Sequence, residues 1–147
     1  MAWFGGSLSQ DPIQTDSMES RKLACDSNGH WRGLSLFIHQ TEDWTVFEDL
    51  SGGCSWIPST DWLKFAELDE FFLAGYNSAT LSAELIVIER GVVLREFLVV
   101  PEEPGENVNN GFLPQEELKP IQGWADVADI VDKDHLAYSD RGWLWIF

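Results

Sequence analysis

Between residues 33 and 50 apolar and polar side chains alternate. In GLSLFIHQ (33–40), Leu34, Leu36 and Ile38 fall on one face and Ser35, Phe37 and His39 on the other, the period of two that a sheet with one buried face requires. WTVFEDL (44–50) has the same strand composition, and Thr41-Glu42-Asp43 between the two runs predicts a hairpin. Stronger strands follow at FFLAGYN (71–77), AELIVIE (83–89) and VVLREFLVV (92–100), rich in β-branched and aromatic residues. Only Arg90-Gly91 separates the last two, so they must form a tight antiparallel hairpin. The closing WLWIF (143–147) is apolar on both alternating faces, which predicts a strand covered on both sides, with Trp143 and Trp145 in the core.

The period changes in GWADVADIVDKD (123–134). Trp124, Val127, Ala128 and Val131 stand at i, i+3, i+4 and i+7, the apolar stripe of a helix lying on a sheet, with Asp126, Asp129 and Lys133 outward. DSMESRKLA (16–24) predicts a short helix capped by Asp16 or Ser17, with Arg21 and Lys22 near its end and Asn28-Gly29 as terminator. Trp62, Phe65, Ala66 and Leu68 give a weaker helical pattern or a turn. The start, WFGGSLSQDP (3–12), is strand-like until Asp11-Pro12 breaks it. The order predicts an α+β fold in a single domain, residues 1–147, built on an antiparallel β-sheet with two or three flanking helices. A chain of 147 residues buries about 68–70% of its unfolded surface, enough to fold without disulfide or metal.

Charge adds what the pattern does not. There are 25 acids against 9 bases, a formal net charge of −16, and the excess is concentrated. Residues 41–70 hold 8 acids and 1 base, and residues 101–147 hold 10 acids and 3 bases, a net −7 each. Such a surface repels phosphates, which excludes nucleic acid as a partner, and attracts basic proteins, speeding their encounter. With 8 Trp and 9 Phe the chain is no disordered acidic tail. One acidic stretch, PEEPGENVNNG (101–111), comes directly after the apolar LREFLVV. Its prolines restrain the chain, so Glu102, Glu103 and Glu106 would lose little entropy on meeting a basic partner; the alternative is that they serve solubility alone.

Candidate chemistry is sparse. Cys25 and Cys54 lie 29 positions apart with no CxxC and no zinc-ligand spacing, and read as reduced thiols. In GGCSW the glycines beside Cys54 would suit a nucleophile, but Glu48, Asp49 and Asp61 would oppose thiolate formation. Asp132, Asp134 and His135 are the best metal-ligand set among the histidines, and equally a solvated turn; His30 sits in a turn and His39 on a strand face. No GxSxG, GxGxxG or GxxxxGK[ST] occurs. The reading therefore requires no cofactor and no metal. There is no secretory signal pattern and no run of about 18 apolar residues, so no membrane is expected and the protein is read as cytoplasmic. Trp44, Trp56 and Trp62, set among acids, have the composition of an interface ringed by charge, and core packing is the other reading.

LREFLVVPEEPGENVNNG, joined after a short gap to GWADVADIVDKD, resembles small bacterial immunity proteins of polymorphic toxin systems. The likeness spans roughly residues 83–134 and rests on the REF segment, the acidic loop and the W-x-x-V-A helix. It implies a cytosolic, non-catalytic protein that neutralises a cognate toxin by occluding its active site or substrate-binding surface. The toxin is expected to be basic. The toxin-binding residues read from the acidic stretches are Glu42, Asp43, Trp44, Glu48, Asp49, Asp61, Glu102, Glu103, Glu106, Asp126 and Asp129. Two readings of other classes stay beside this one: an acidic chaperone or adaptor for a secreted effector, and a small hydrolase using Cys54 or a histidine.

Overall fold

The computed structural model describes residues 11–133 and 141–147; the strand-like start at 3–10, with Asp134 and His135, lies outside them. Among the described residues the order is β1 (Ile13–Asp16), α1 (Ser17–Leu23), β2 (Ser35–Gln40), β3 (Thr45–Asp49), α2 (Ser59–Trp62), β4 (Glu70–Asn77), β5 (Ser82–Glu89), β6 (Val92–Val99), β7 (Val108–Gly111), α3 (Trp124–Lys133) and β8 (Arg141–Ile146). This is the expected α+β class with antiparallel pairing, but the strands divide between two four-stranded sheets. The chain resolves into two compact units, one comprising residues up to Cys54 together with those from Leu136 onward, the other Ser55–His135.

The first unit holds the sheet β1-β8-β2-β3, every neighbour antiparallel. Its buried face carries Phe37 from β2 with Leu144 and Ile146 from β8, and Ala24, Leu50, Ile13 and Leu23 pack against them. The helix that covers this face is capped as expected: the Asp16 carboxylate accepts the Glu19 N–H at 2.8 Å, and Arg21 and Lys22 occupy the last turn. WLWIF departs from expectation. β8 alternates along its length, with Gly142, Leu144 and Ile146 buried, Trp143 47% exposed and Trp145 half-buried. The strand is central in its sheet, covered fully on one face and partly on the other.

In the second unit β4, β5, β6 and β7 form a meander in sequence order. Arg90 and Gly91 have φ of 48° and 78°, the two left-handed residues of the turn that matches the twist of a two-residue hairpin. One face takes the stripe of α3, so that Val127 joins Ala83, Leu85, Phe97 and Ile121 in a core, with Trp124, Ile130 and Val131 at its margin. The other face is covered by the segment carrying α2, where Trp62 stacks on Phe71 at 5.0 Å. The acidic loop is shorter and more ordered than expected. Asn107 accepts the Val100 N–H through its side chain at 2.7 Å, Pro104–Glu106 form a 3₁₀ turn, and Val108–Gly111 pair with β6 as an edge strand.

A buried ion pair ties this meander to the segment that leads into α3. Arg95 (2% exposed) and Glu116 (4% exposed) meet in a two-pronged bond, Nε to Oε2 at 2.8 Å and Nη2 to Oε1 at 3.0 Å. The second guanidinium arm donates to the Asn110 and Glu96 carbonyls, and the Glu116 carboxylate also accepts the Leu113 and Ile121 amides. Burial pushes the Glu116 carboxyl up, but Arg95 and the two amides together hold it below the usual carboxylate range. One carboxylate thus connects β6, the β7 end and the run before α3.

Removing one partner of such a pair leaves a buried charge, so Arg95→Met should cost about 3–5 kcal/mol in urea unfolding. Glu116→Gln tests the electrostatic part. A carboxyl whose folded pKa is depressed stabilises above its unfolded value, about 4.3, and loses that contribution as pH falls through the folded value. The stability gap between wild type and Glu116→Gln should therefore be full near neutrality and shrink on acidification below about pH 4.3; a pH-independent gap would contradict this account.

Candidate functional site

Among the described residues the second face of the β1-β8-β2-β3 sheet is covered at Leu36, which is 1% exposed, and open toward Trp143, Ile38 and Phe47. The registers Gln14↔Trp143, Ile38↔Trp143 and Ile38↔Phe47 set one row across all four strands. Its three apolar members are a half-buried Ile38 flanked by Trp143 and Phe47, which are 47% and 53% exposed. Alternation explains the placement. Phe37 and Leu144 face inward, so their neighbours in sequence take the other face, where Leu36 is buried and Ile38 and Trp143 are partly exposed. Gly142 makes the close approach of β8 to β2 possible, since a Cβ there would strike the Ile38 carbonyl and the Phe37 ring.

Beside this row Gln14, Gln40, Thr45, Arg141 and Trp143 line an open cavity of about 220 Å³. Gln40 donates to the Thr45 hydroxyl at 3.3 Å. The turn at 41–44 is fixed by the Thr41 N–H donating to the Trp44 carbonyl at 2.8 Å and by the Thr41 hydroxyl accepting the Trp44 N–H at 3.0 Å. Glu42 and Asp43 are thereby exposed at the hairpin tip, and Trp44 is 42% exposed. Residues 41–54 contain four acids and no base. An apolar row with an amide and hydroxyl margin, and carboxylates at the β2–β3 hairpin tip, suits a protein surface with aliphatic groups and cations, and the exposed indole faces attract cations as well.

The expected binding residues have different fates. Glu42, Asp43 and Trp44 share the hairpin tip. Glu48 lies on the opposite face of the sheet, half-buried, its carboxylate 3.5 Å from Nε2 of the buried His39. Asp49 accepts the Gly52 N–H at 2.9 Å and the Cys54 N–H at 2.7 Å, so its carboxylate organises the turn after β3. In the other unit Asp61 is exposed near Lys64, and Glu102, Glu103 and Glu106 are exposed on the stapled turn. Asp126, expected to point outward, folds back to accept the Gln122 and Gly123 amides ahead of α3. Asp129 is ion-paired with Lys119, whose ammonium it holds above the usual lysine value.

The aromatic readings divide similarly. Trp62 is buried at 5%, whereas Trp56 is 54% exposed. Of the two cysteines, Cys54 is buried and Cys25 half-buried. Of the histidine-centred metal set, Asp132 is described and accepts the Tyr76 hydroxyl at 3.0 Å. Among the described residues no three His, Cys, Asp or Glu side chains converge on a metal site, and no helix is long and apolar enough to cross a membrane. Sequence reasoning missed Phe47, Ile38, Trp143, Gln14, Gln40, Thr45 and Arg141. Their signal was the spacing of Trp143 and Trp145 on one face of a strand whose other face is Gly142, Leu144 and Ile146. No protein-family model, curated protein or solved structure matches the chain.

Fully burying a large apolar side chain contributes about 1.5–3 kcal/mol, so residues left half exposed contribute about half. Phe47→Ala and Trp143→Ala should each cost about 1 kcal/mol in equilibrium unfolding, against about 3–5 kcal/mol for Phe37→Ala in the core. Equal losses at all three positions would mean that the row is packed in solution.

Proposed function

We propose that this protein is a stoichiometric inhibitor, an immunity protein that binds a cognate antibacterial toxin and neutralises it by covering its active site or substrate-binding surface. The observation that carries this reading is the apolar row of Trp143, Ile38 and Phe47 on an exposed part of the sheet face, in the same unit as the exposed carboxylates of Glu42 and Asp43. Aromatic anchors at the centre with charges at the margin are the anatomy of a protein-binding surface. A net charge of −16 selects a basic partner and speeds its capture. Toxins that act on nucleic acids or nucleotides present basic surfaces to phosphate, and an acidic protein competes for the same surface. The likeness of residues 83–134 to immunity proteins supports the same conclusion.

The test uses the product of the gene adjacent to this one. Co-expression should restore growth arrested by that product, and the two purified proteins should form a one-to-one complex whose association slows as salt rises. Trp143→Asp and Phe47→Asp should each lower affinity at least tenfold while leaving the variants folded by circular dichroism. Growth arrest that persists beside a folded wild-type protein, or a complex indifferent to both variants, would contradict the proposal.

A further inference from the structure

Among the described residues the sheet that carries this row also ends in an unpaired edge. Its hairpin ladder is fixed in phase at both ends: the Thr41 N–H donates to the Trp44 carbonyl at 2.8 Å and the Leu50 N–H to the Ser35 carbonyl at 3.0 Å, with Leu36↔Asp49 to Gln40↔Thr45 in register between. Hydrogen-bonded and non-bonded pairs alternate along an antiparallel ladder. Val46 and Glu48 therefore bond inward to β2, and Thr45, Phe47 and Asp49 turn their N–H and C=O groups away from it. β3 is the last strand of the sheet, so among the described residues no strand receives them.

Edges of this kind invite pairing and are normally blunted by charged side chains, lysine above all, by proline or by a bulge. β3 has the sequence TVFED, with no lysine or proline, and pairs with β2 without a bulge. What it has is negative charge, from Glu48 and Asp49 on the strand and Glu42 and Asp43 at the hairpin tip. Those carboxylates act selectively. A second copy pairing here would bring an identical acidic strand against the first, and like charges across a pair destabilise it. A strand bearing lysine or arginine meets no such penalty.

We propose that the β3 edge accepts a fifth strand from the basic partner, an extended segment in which apolar residues alternate with lysine or arginine. Backbone groups of Thr45 and Phe47 hold it, its apolar residues continue the row of Trp143, Ile38 and Phe47, and its cations meet Glu42, Asp43 and Glu48. The choice of partner rests on the inhibitor reading above; the edge itself does not. The other sheet has a longer free edge at β4, where the Arg90 N–H to Asp69 carbonyl bond at 3.0 Å sets the phase so that Phe72, Ala74 and Tyr76 face outward. No open apolar row crosses that sheet, because Val87 and Arg95, next across from Phe72, are half-buried and buried.

The probe is a blocked eight-residue peptide of alternating lysine and valine, compared with one in which a central valine is proline and one with glutamate in place of lysine. Amide hydrogen exchange of the full-length protein is followed by NMR. The lysine peptide should slow exchange at Thr45 and Phe47 at least tenfold, and the other two should not. Phe47→Pro, which removes an outward N–H and leaves the ladder to β2 intact, should abolish the protection, whereas Phe47→Ala should retain it with weaker binding; the wild-type exchange pattern decides the matter even if the proline variant fails to fold. Equal binding of the proline-interrupted peptide without protection would reduce the interaction to charge attraction and overturn strand addition, while leaving the inhibitor reading standing. Protection at Phe72, Ala74 and Tyr76 instead would overturn the choice of edge, and protection that rises with protein concentration alone would make the occupant a second copy.

Discussion

The open surface depends on one pairing. β8 lies between β1 and β2, and through it the row acquires Trp143 on one side and Gln14 beyond it. Without β8 the four residues Ile13–Asp16 would have no strand partner, and Phe37 would lose Leu144 and Ile146 from its core. Exposed aromatic side chains are tolerable here because the same strands bury Phe37, Leu144 and Ile146 on the reverse face. The inner face stabilises the sheet, and that leaves the outer face available for a partner.

Each unit uses some of its acids within the fold and leaves others in solvent. In the meander unit Glu116 is engaged by Arg95, Asp129 by Lys119, Asp132 by the Tyr76 hydroxyl and Asp126 by the amides that precede α3, while Glu102, Glu103 and Glu106 stay exposed. In the unit with the exposed row, Glu42 and Asp43 are left in solvent on a turn whose own bonds come from Thr41. A carboxylate already bonded within the fold gains little from an incoming cation. Surface charge per residue is thus a poor guide to binding, and charge not yet used by the fold is a better one.

Legibility in the chain tracks the range of the interactions involved. The hairpin at Arg90-Gly91, the Asp16 cap and the stripe of Trp124, Val127, Ala128 and Val131 are set by residues close in sequence, and all three stand as expected. The face that WLWIF buries is decided by Phe37, more than 100 positions away, and no local period distinguishes a strand fully covered on both faces from one fully covered on a single face. Asp49 and Asp126 were legible as acids but not as backbone acceptors, because an aspartate before a turn or helix has the same composition whether it caps or points outward. The candidate site was half legible. Its acidic tip, Glu42, Asp43 and Trp44, is local, whereas the row behind it is assembled from three distant segments. Arg95 and Glu116, 21 positions apart, gave no signal at all, since a buried ion pair leaves no period.

The position of β8 also orders events during synthesis. The strands β4 to β7 are consecutive, and each can pair with its neighbour as it leaves the ribosome. The β1-β8-β2-β3 sheet has to wait, because its second strand is not made until residue 146. Until then Phe37 lacks Leu144 and Ile146, one edge of β2 is unpaired, and the row that includes Trp143 is incomplete. A nascent chain therefore lacks the complete row until β8 is made, and one stopped short of β8 never acquires it. Synthesis through β8 is what completes the row.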